Sequence, residues 1–251
     1  MILETSFFLL TLIGILSSFV GTLAGGAGLI TLPAMMLVGI PIQTGIATNK
    51  FSTGFASLTS ISYLLKNKEL DVKTIISTIF LSFIGGVIGA SVTSSISEKT
   101  MNSVALVLLI FALFVSLKNK QWVSSVQVQK KKPNMISKCL SFLIAVYDGG
   151  FGPGSSTFAI LHYMSQQHTY IKAVQLTRVF IFGSCLGAFI VYYQTGFVQW
   201  HYAIAMAIGS SLGSQIGLLA LPRIPLKVAQ LMLVSIIVLL IGEMLYKLAS
   251  S

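Results

Sequence analysis

Charge is scarce in this chain. Asp, Glu, Lys and Arg make up only 9% of its residues, where an ordinary soluble domain carries about 25%. With 55% hydrophobic residues and a mean hydropathy of +0.89, the chain is not built for water as its main solvent. Cysteine is scarcer still. Cys139 and Cys185 are the only two, which excludes a disulfide framework and any CxxC motif. Both lie in apolar stretches and are read as buried apolar residues. His162, His168 and His201 have no metal-ligand spacing, and no Ser/His/Asp or Cys/His arrangement is legible. The chain is therefore read as a non-enzyme with no metal and no cofactor. Also missing is the polar–apolar alternation that the strands of a membrane β-barrel require. The N-terminus lacks a basic n-region, its only early charge being Glu4, so it is read as a membrane segment and not a secretion signal.

What the chain has is long apolar runs. Residues 74–93 and 101–117 contain no charge at all, and a helix needs roughly 20 apolar residues to cross a bilayer. The expected fold is an all-α polytopic membrane protein with about five helical segments in each half. In the first half they lie near 5–24, 29–41, 46–65, 74–93 and 100–117. In the second they lie near 136–148, 155–166, 171–194, 199–220 and 226–247. Residues 1–117 form a first membrane repeat, 118–135 a basic linker and 136–251 a second repeat. The net charge of +10 sits in short loops, so it is a topology signal and not a nucleic-acid footprint. With the linker in the cytoplasm, alternation of loops puts every basic residue inside except Lys99 and Lys247, which fall outside, and Lys50 and Arg178, which fall in helices. Both termini then lie outside the plasma membrane. Glu243 and Lys247, four residues apart, have the spacing of a helical ion pair.

A shift of 128 residues lays Gly21 on Gly149, Gly26 on Gly154 and Lys50 on Arg178. Gly85, Gly86 and Gly89 find a similar cluster in Gly209 and Gly213 at a slightly different offset. An odd number of segments per half makes the two repeats inverted, a plan that recurs in secondary transporters with substrate near the midplane. Each half carries a Gly-rich break, at residues 21–28 and at 148–154. Broken backbone survives in a membrane only where it is buried or lines a cavity. The two breaks are expected to meet near the midplane, each opening a short helix whose N-terminus attracts an anion. Gly26, Gly28, Gly152 and Gly154 would let backbone N–H groups approach it, so a methyl at Gly26 or Gly154 is expected to obstruct the ligand and leave folding little changed. Close helix packing is the competing reason for small residues there. Ser155, Ser156 and Thr157 offer hydroxyls for capping or ligand contact.

The two cations sharpen this reading. A charge at the centre of a membrane helix costs roughly 2.5–3.5 kcal/mol and usually faces a cavity or a partner. Lys50 is expected about one turn from the outer loop, within reach of snorkelling, and Arg178 deeper. Both, with their neighbours Asn49 and Thr177, are candidate substrate contacts; the guanidinium of Arg178 suits bidentate binding of an oxyanion. Asp148 abuts the second break, either as a salt-bridge partner or as an acceptor of a coupling proton.

The run from Gly21 to Pro33, the residues Ala47-Thr48-Asn49-Lys50 and the run Tyr147-Asp148-Gly149-Gly150-Phe151-Gly152-Pro153-Gly154 resemble the sulfite exporter TauE/SafE family of membrane permeases. Ala24 and Ala27 stand where that family usually has glycines. The resemblance implies carriage of sulfite, sulfoacetate or another organosulfonate across a lipid bilayer. An anion channel and a membrane-embedded enzyme of sulfur metabolism are the alternatives.

Overall fold

The computed structural model describes residues 2–66, 72–97, 99–101 and 135–225, together with 104, 107, 110, 111, 114, 227, 228, 231, 232, 234, 235 and 238. The segments expected near 100–117 and 226–247, the linker and the Glu243–Lys247 pair lie largely or wholly outside these residues.

Eight helices have both ends among the described residues, which contain no strand, as the composition requires. They are α1 (Ile2–Ala24), α2 (Ala27–Leu37), α3 (Ile42–Lys66), α4 (Val72–Ser94), α5 (Met135–Gly150), α6 (Ser155–Ser165), α7 (Tyr170–Gln194) and α8 (Trp200–Ala220). The 128-residue shift carries α2 onto α6 and α3 onto α7 end for end, and the start of α4 onto that of α8.

Four helices, α1, α4, α7 and α8, are long and apolar enough to cross a membrane. Their faces are arranged for lipid. On α4, Ile76, Phe80, Ile84 and Ile88 are exposed at a spacing of four, and on α8 so are Ile204, Ile208, Leu212 and Ile216. The opposite, buried faces carry Ser82, Gly85, Gly86 and Gly89 on α4, and Ser210, Gly213 and Gly217 on α8. Lipid tails are as apolar as leucine, so association comes from close packing of small residues and from hydrogen bonds. A Cβ added at Gly89 would strike the Val146 carbonyl of α5, and one at Gly213 the Ile15 carbonyl of α1. Under the 128-residue shift that carries the start of α4 onto that of α8, Gly85 and Gly89 fall on Gly213 and Gly217. The same inside-out logic corrects Cys139. It is exposed on α5, because an apolar residue in this environment faces lipid as readily as core, whereas Cys185 is buried.

α3 and α7 run through the centre. Each has 25 residues, and α3 buries Thr48, Asn49, Lys50, Ser52, Ser57 and Ser60. A helix shielded from lipid by its neighbours can carry that many polar groups. The contacts also give helix directions. Gly209, Gly213 and Gly217 face Thr11, Ile15 and Phe19 in turn, so α1 and α8 are parallel. Gly183 faces Ile79 and Gly187 faces Phe83, so α4 and α7 are parallel. The equivalent helices α3 and α7 are antiparallel: Phe51 lies against Phe189 with ring centroids 5.1 Å apart, while Gly54 faces Cys185.

α2 and α6 have 11 residues each. That is about 16 Å, half of a hydrocarbon core of about 30 Å. Each doubles back on the helix before it, as the 2.7 Å contact between Ser141 Oγ on α5 and His162 Nε2 on α6 marks. The two hairpins meet tip to tip. A Cβ built on Gly28 would lie 3.0 Å from Pro153 Cα, and one on Gly25 2.9 Å from Thr157 N.

Candidate functional site

Both hairpin tips turn on a left-handed glycine. Gly26 (φ 73°, ψ 22°) caps α2 and Gly154 (φ 82°, ψ −11°) caps α6, neither helix having a side-chain cap. A β-carbon in this conformation costs about 1–2 kcal/mol. A methyl at Gly26 or Gly154 therefore disturbs folding whatever it does to a ligand, which corrects the expectation of an unchanged apo protein. The first N–H groups of a helix have no partner within it; in α2 and α6 the first turns start at the junction of the two tips, where Leu29 N–H already donates to the Gly26 carbonyl and Ser155 N–H to the Gly152 carbonyl. Gly28 is half-buried at this junction.

Lys50 lies eight residues past Ile42 and Arg178 eight past Tyr170, each about 12 Å along its helix. The two cations are thus at matching depth from opposite ends. Lys50 is only 1% exposed. It does not snorkel, because α3 begins a turn earlier than the hydropathy indicated. Each cation reaches the hairpin of the other half. The ammonium of Lys50 donates to the Asp148 carbonyl oxygen and pairs with Asp148 Oδ1 at 3.4 Å. Asp148, 3% exposed, also accepts from the hydroxyls of Ser155 and Ser184, with the Cys185 thiol 3.8 Å away. Gly152 leaves the room that the ammonium occupies, since a Cβ there would lie 2.5 Å from Lys50 Nζ. Two charges taken from water are tolerated when the remaining donors and acceptors are also satisfied, and the Asp148 carboxylate has that in the two hydroxyls. Ser155 therefore serves Asp148 and does not cap α6.

Arg178 is placed differently. It is 7% exposed and donates to the Thr22 hydroxyl at the end of α1. Among the described residues no carboxylate lies within ion-pair distance of it. The interior also holds buried oxygens that lack a hydrogen-bond partner among the described residues, among them Thr157 Oγ1 on the first turn of α6, and Thr177 Oγ1 and Gln175 Oε1 on α7. Such groups are costly to leave unmet. Thr157 stands against Gly25, where the two tips touch. A buried guanidinium without a carboxylate partner among the described residues has the donor fork that suits an oxyanion.

The remaining candidates divide. Asn49 accepts through Oδ1 from Thr53 on its own helix at 3.1 Å, so its carbonyl is engaged locally. Ser156 is half-buried, and Gly152 and Gly154 line the second tip. Thr22, Ser184 and Cys185 were missed in the sequence. Thr22 left a signal, a hydroxyl inside the first Gly-rich break. Ser184 and Cys185 left none, being 36 and 37 residues from the carboxylate they meet.

A family model described as sulfite exporter TauE/SafE matches residues 10–244. The chain belongs to that family. Among its TauE/SafE relatives is a probable membrane transporter protein of Sinorhizobium, ORF9, 31% identical over 80% of this chain and 78% of its own length. Another, from Haemophilus influenzae, is 26% identical over 82% of this chain and 81% of its own. The Bacillus subtilis probable membrane transporter protein YunE is 23% identical over 96% and 98% of the two chains. No solved structure matches the chain. As a TauE/SafE protein with apolar helices of membrane-crossing length, it is a multi-pass membrane transporter.

Proposed function

We propose that this transporter moves a small sulfur-containing anion, such as sulfite, sulfoacetate or another organosulfonate, across the plasma membrane by alternating access. The observation that carries the anion is Arg178, a buried guanidinium with no carboxylate partner among the described residues, beside the meeting tips of two broken helices. Its planar fork matches a sulfonate or sulfite oxygen pair. The sulfur class rests on the family description. An inverted repeat is supported by the antiparallel course of α3 and α7, equivalent under the 128-residue shift. Rocking one repeat against the other would expose the tips to each side in turn. A membrane negative inside favours export of an anion by about 2.3 kcal/mol per charge per 100 mV.

The test is counterflow in proteoliposomes holding the purified protein. Internal sulfite or sulfoacetate is expected to drive uptake of the same labelled anion against its gradient. Unitary currents without countertransport would make the protein an anion channel. No stabilisation and no counterflow with any sulfur anion of a broad panel would remove the substrate class.

A further inference from the structure

The repeat has duplicated the cation but not its counter-charge. Under the 128-residue shift Lys50 corresponds to Arg178, whereas Asp148 corresponds to Val20, an apolar residue buried in the first hairpin. The two halves therefore treat their cations unequally. In the second hairpin Asp148 cancels Lys50 within an ion pair, and the hydroxyls of Ser155 and Ser184 satisfy the carboxylate further. In the first hairpin Arg178 donates to the Thr22 hydroxyl, and Val20, which stands where Asp148 does, has no charge to offer it. Among the described residues the buried interior then carries one positive charge in excess. The size of an oxyanion is read by shape, but its charge is read by this balance. A monoanion at Arg178 leaves the interior neutral. A dianion of the same size leaves one negative charge unpaired where water is excluded, and unpaired buried charge is strongly disfavoured.

We infer that the site selects singly charged oxyanions over doubly charged ones of similar size, so that within the proposed sulfur class it favours hydrogensulfite and monosulfonates over sulfoacetate, whose carboxylate adds a second charge, and that Asp148 sets this preference by cancelling Lys50. Asp148 is then a specificity-determining residue that acts through Lys50 without touching substrate. The inference rests on the reading above that Arg178 receives the anion.

Methanesulfonate and sulfate are tetrahedral anions of similar size that differ by one charge, so their dissociation constants for the purified full-length protein test it directly. Wild type is expected to bind methanesulfonate at least about tenfold more tightly than sulfate. Sulfate binding as tightly or more tightly overturns the inference and leaves the transport reading standing. If neither these nor sulfite nor sulfoacetate binds, the transport reading itself falls. Asp148→Asn keeps an acceptor oxygen for Ser155 and removes the charge, so it should move the methanesulfonate-to-sulfate ratio at least about tenfold toward sulfate. An unchanged ratio in the folded variant overturns the role of Asp148. Val20→Asp supplies the carboxylate that the first hairpin lacks and should lower methanesulfonate affinity at least about tenfold relative to Val20→Asn, its uncharged match. Equal affinities in those two variants count against the charge balance. The wild-type comparison decides the preference even where a variant fails to fold.

Discussion

At the scale of single residues, Lys50 and Arg178 looked alike in the sequence and are not alike in the folded chain. Arg178→Ala is expected to abolish counterflow while the protein still accumulates and melts within a few degrees of wild type, because Arg178 holds no buried partner charge that its loss would strand. Arg178→Lys should restore only part of the rate, since lysine keeps the charge and loses the bidentate fork. A folded Arg178→Ala protein with normal counterflow would take Arg178 out of the site. Lys50 predicts the opposite signature. Removing one member of a buried pair leaves the other charge uncompensated and costs about 3–5 kcal/mol, so Lys50→Met and Asp148→Leu alone should each lower the melting temperature sharply. The double variant Lys50→Met/Asp148→Leu should recover at least half of that loss. Additive losses would mean that the 3.4 Å pair contributes little. The cations and Asp148 were legible because charge is conspicuous in an apolar sequence. Which cation Asp148 serves was not, because 98 residues separate it from Lys50.

At the scale of elements, the Gly-rich breaks were legible as breaks, and their backbone conformation was not. Gly154→Ala and Gly26→Ala should each lower the apo stability by about 1–2 kcal/mol through the left-handed conformation alone. Gly154→Asn should cost less than Gly154→Ala, since asparagine visits that region more readily. Equal losses for alanine and asparagine would show that space, not φ, decides the position. The long helices make a separate demand. Gly89 and Gly213 face carbonyl oxygens of α5 and α1 so closely that a methyl displaces backbone, and Gly89→Ala and Gly213→Ala should both unfold the protein at lower temperature. Which glycine of one half corresponds to which of the other is hard to read from sequence, because glycines recur every fourth residue on α8.

At the scale of the whole molecule, the distribution of basic residues makes a prediction about sides. With Cys139 and Cys185 replaced by serine, single cysteines at Ser125 and Ile2 should label from opposite faces of the membrane, Ser125 from the cytoplasm. Labelling from the same side would break the parity on which the inverted repeat rests. The helix directions bear on the same question: α1 parallel to α8, α4 parallel to α7, and α3 antiparallel to α7 form a set that alternating loops also require.

The sequence by itself determined that the chain is helical and lives in lipid, where the helices among the described residues begin and end to within a few residues, and which charged side chains lie deep among them. These follow from composition, period and spacing, which are local or additive properties. Only the tertiary structure decided that each cation crosses to the other half's hairpin, that Asp148 is spent on Lys50, Ser155 and Ser184, and that Arg178 is left with a hydroxyl. Partner choice among buried charges depends on which helices touch and at what height. In a membrane that is fixed by glycines packing against carbonyls far away in the chain, a fit of shapes that no single stretch of sequence records.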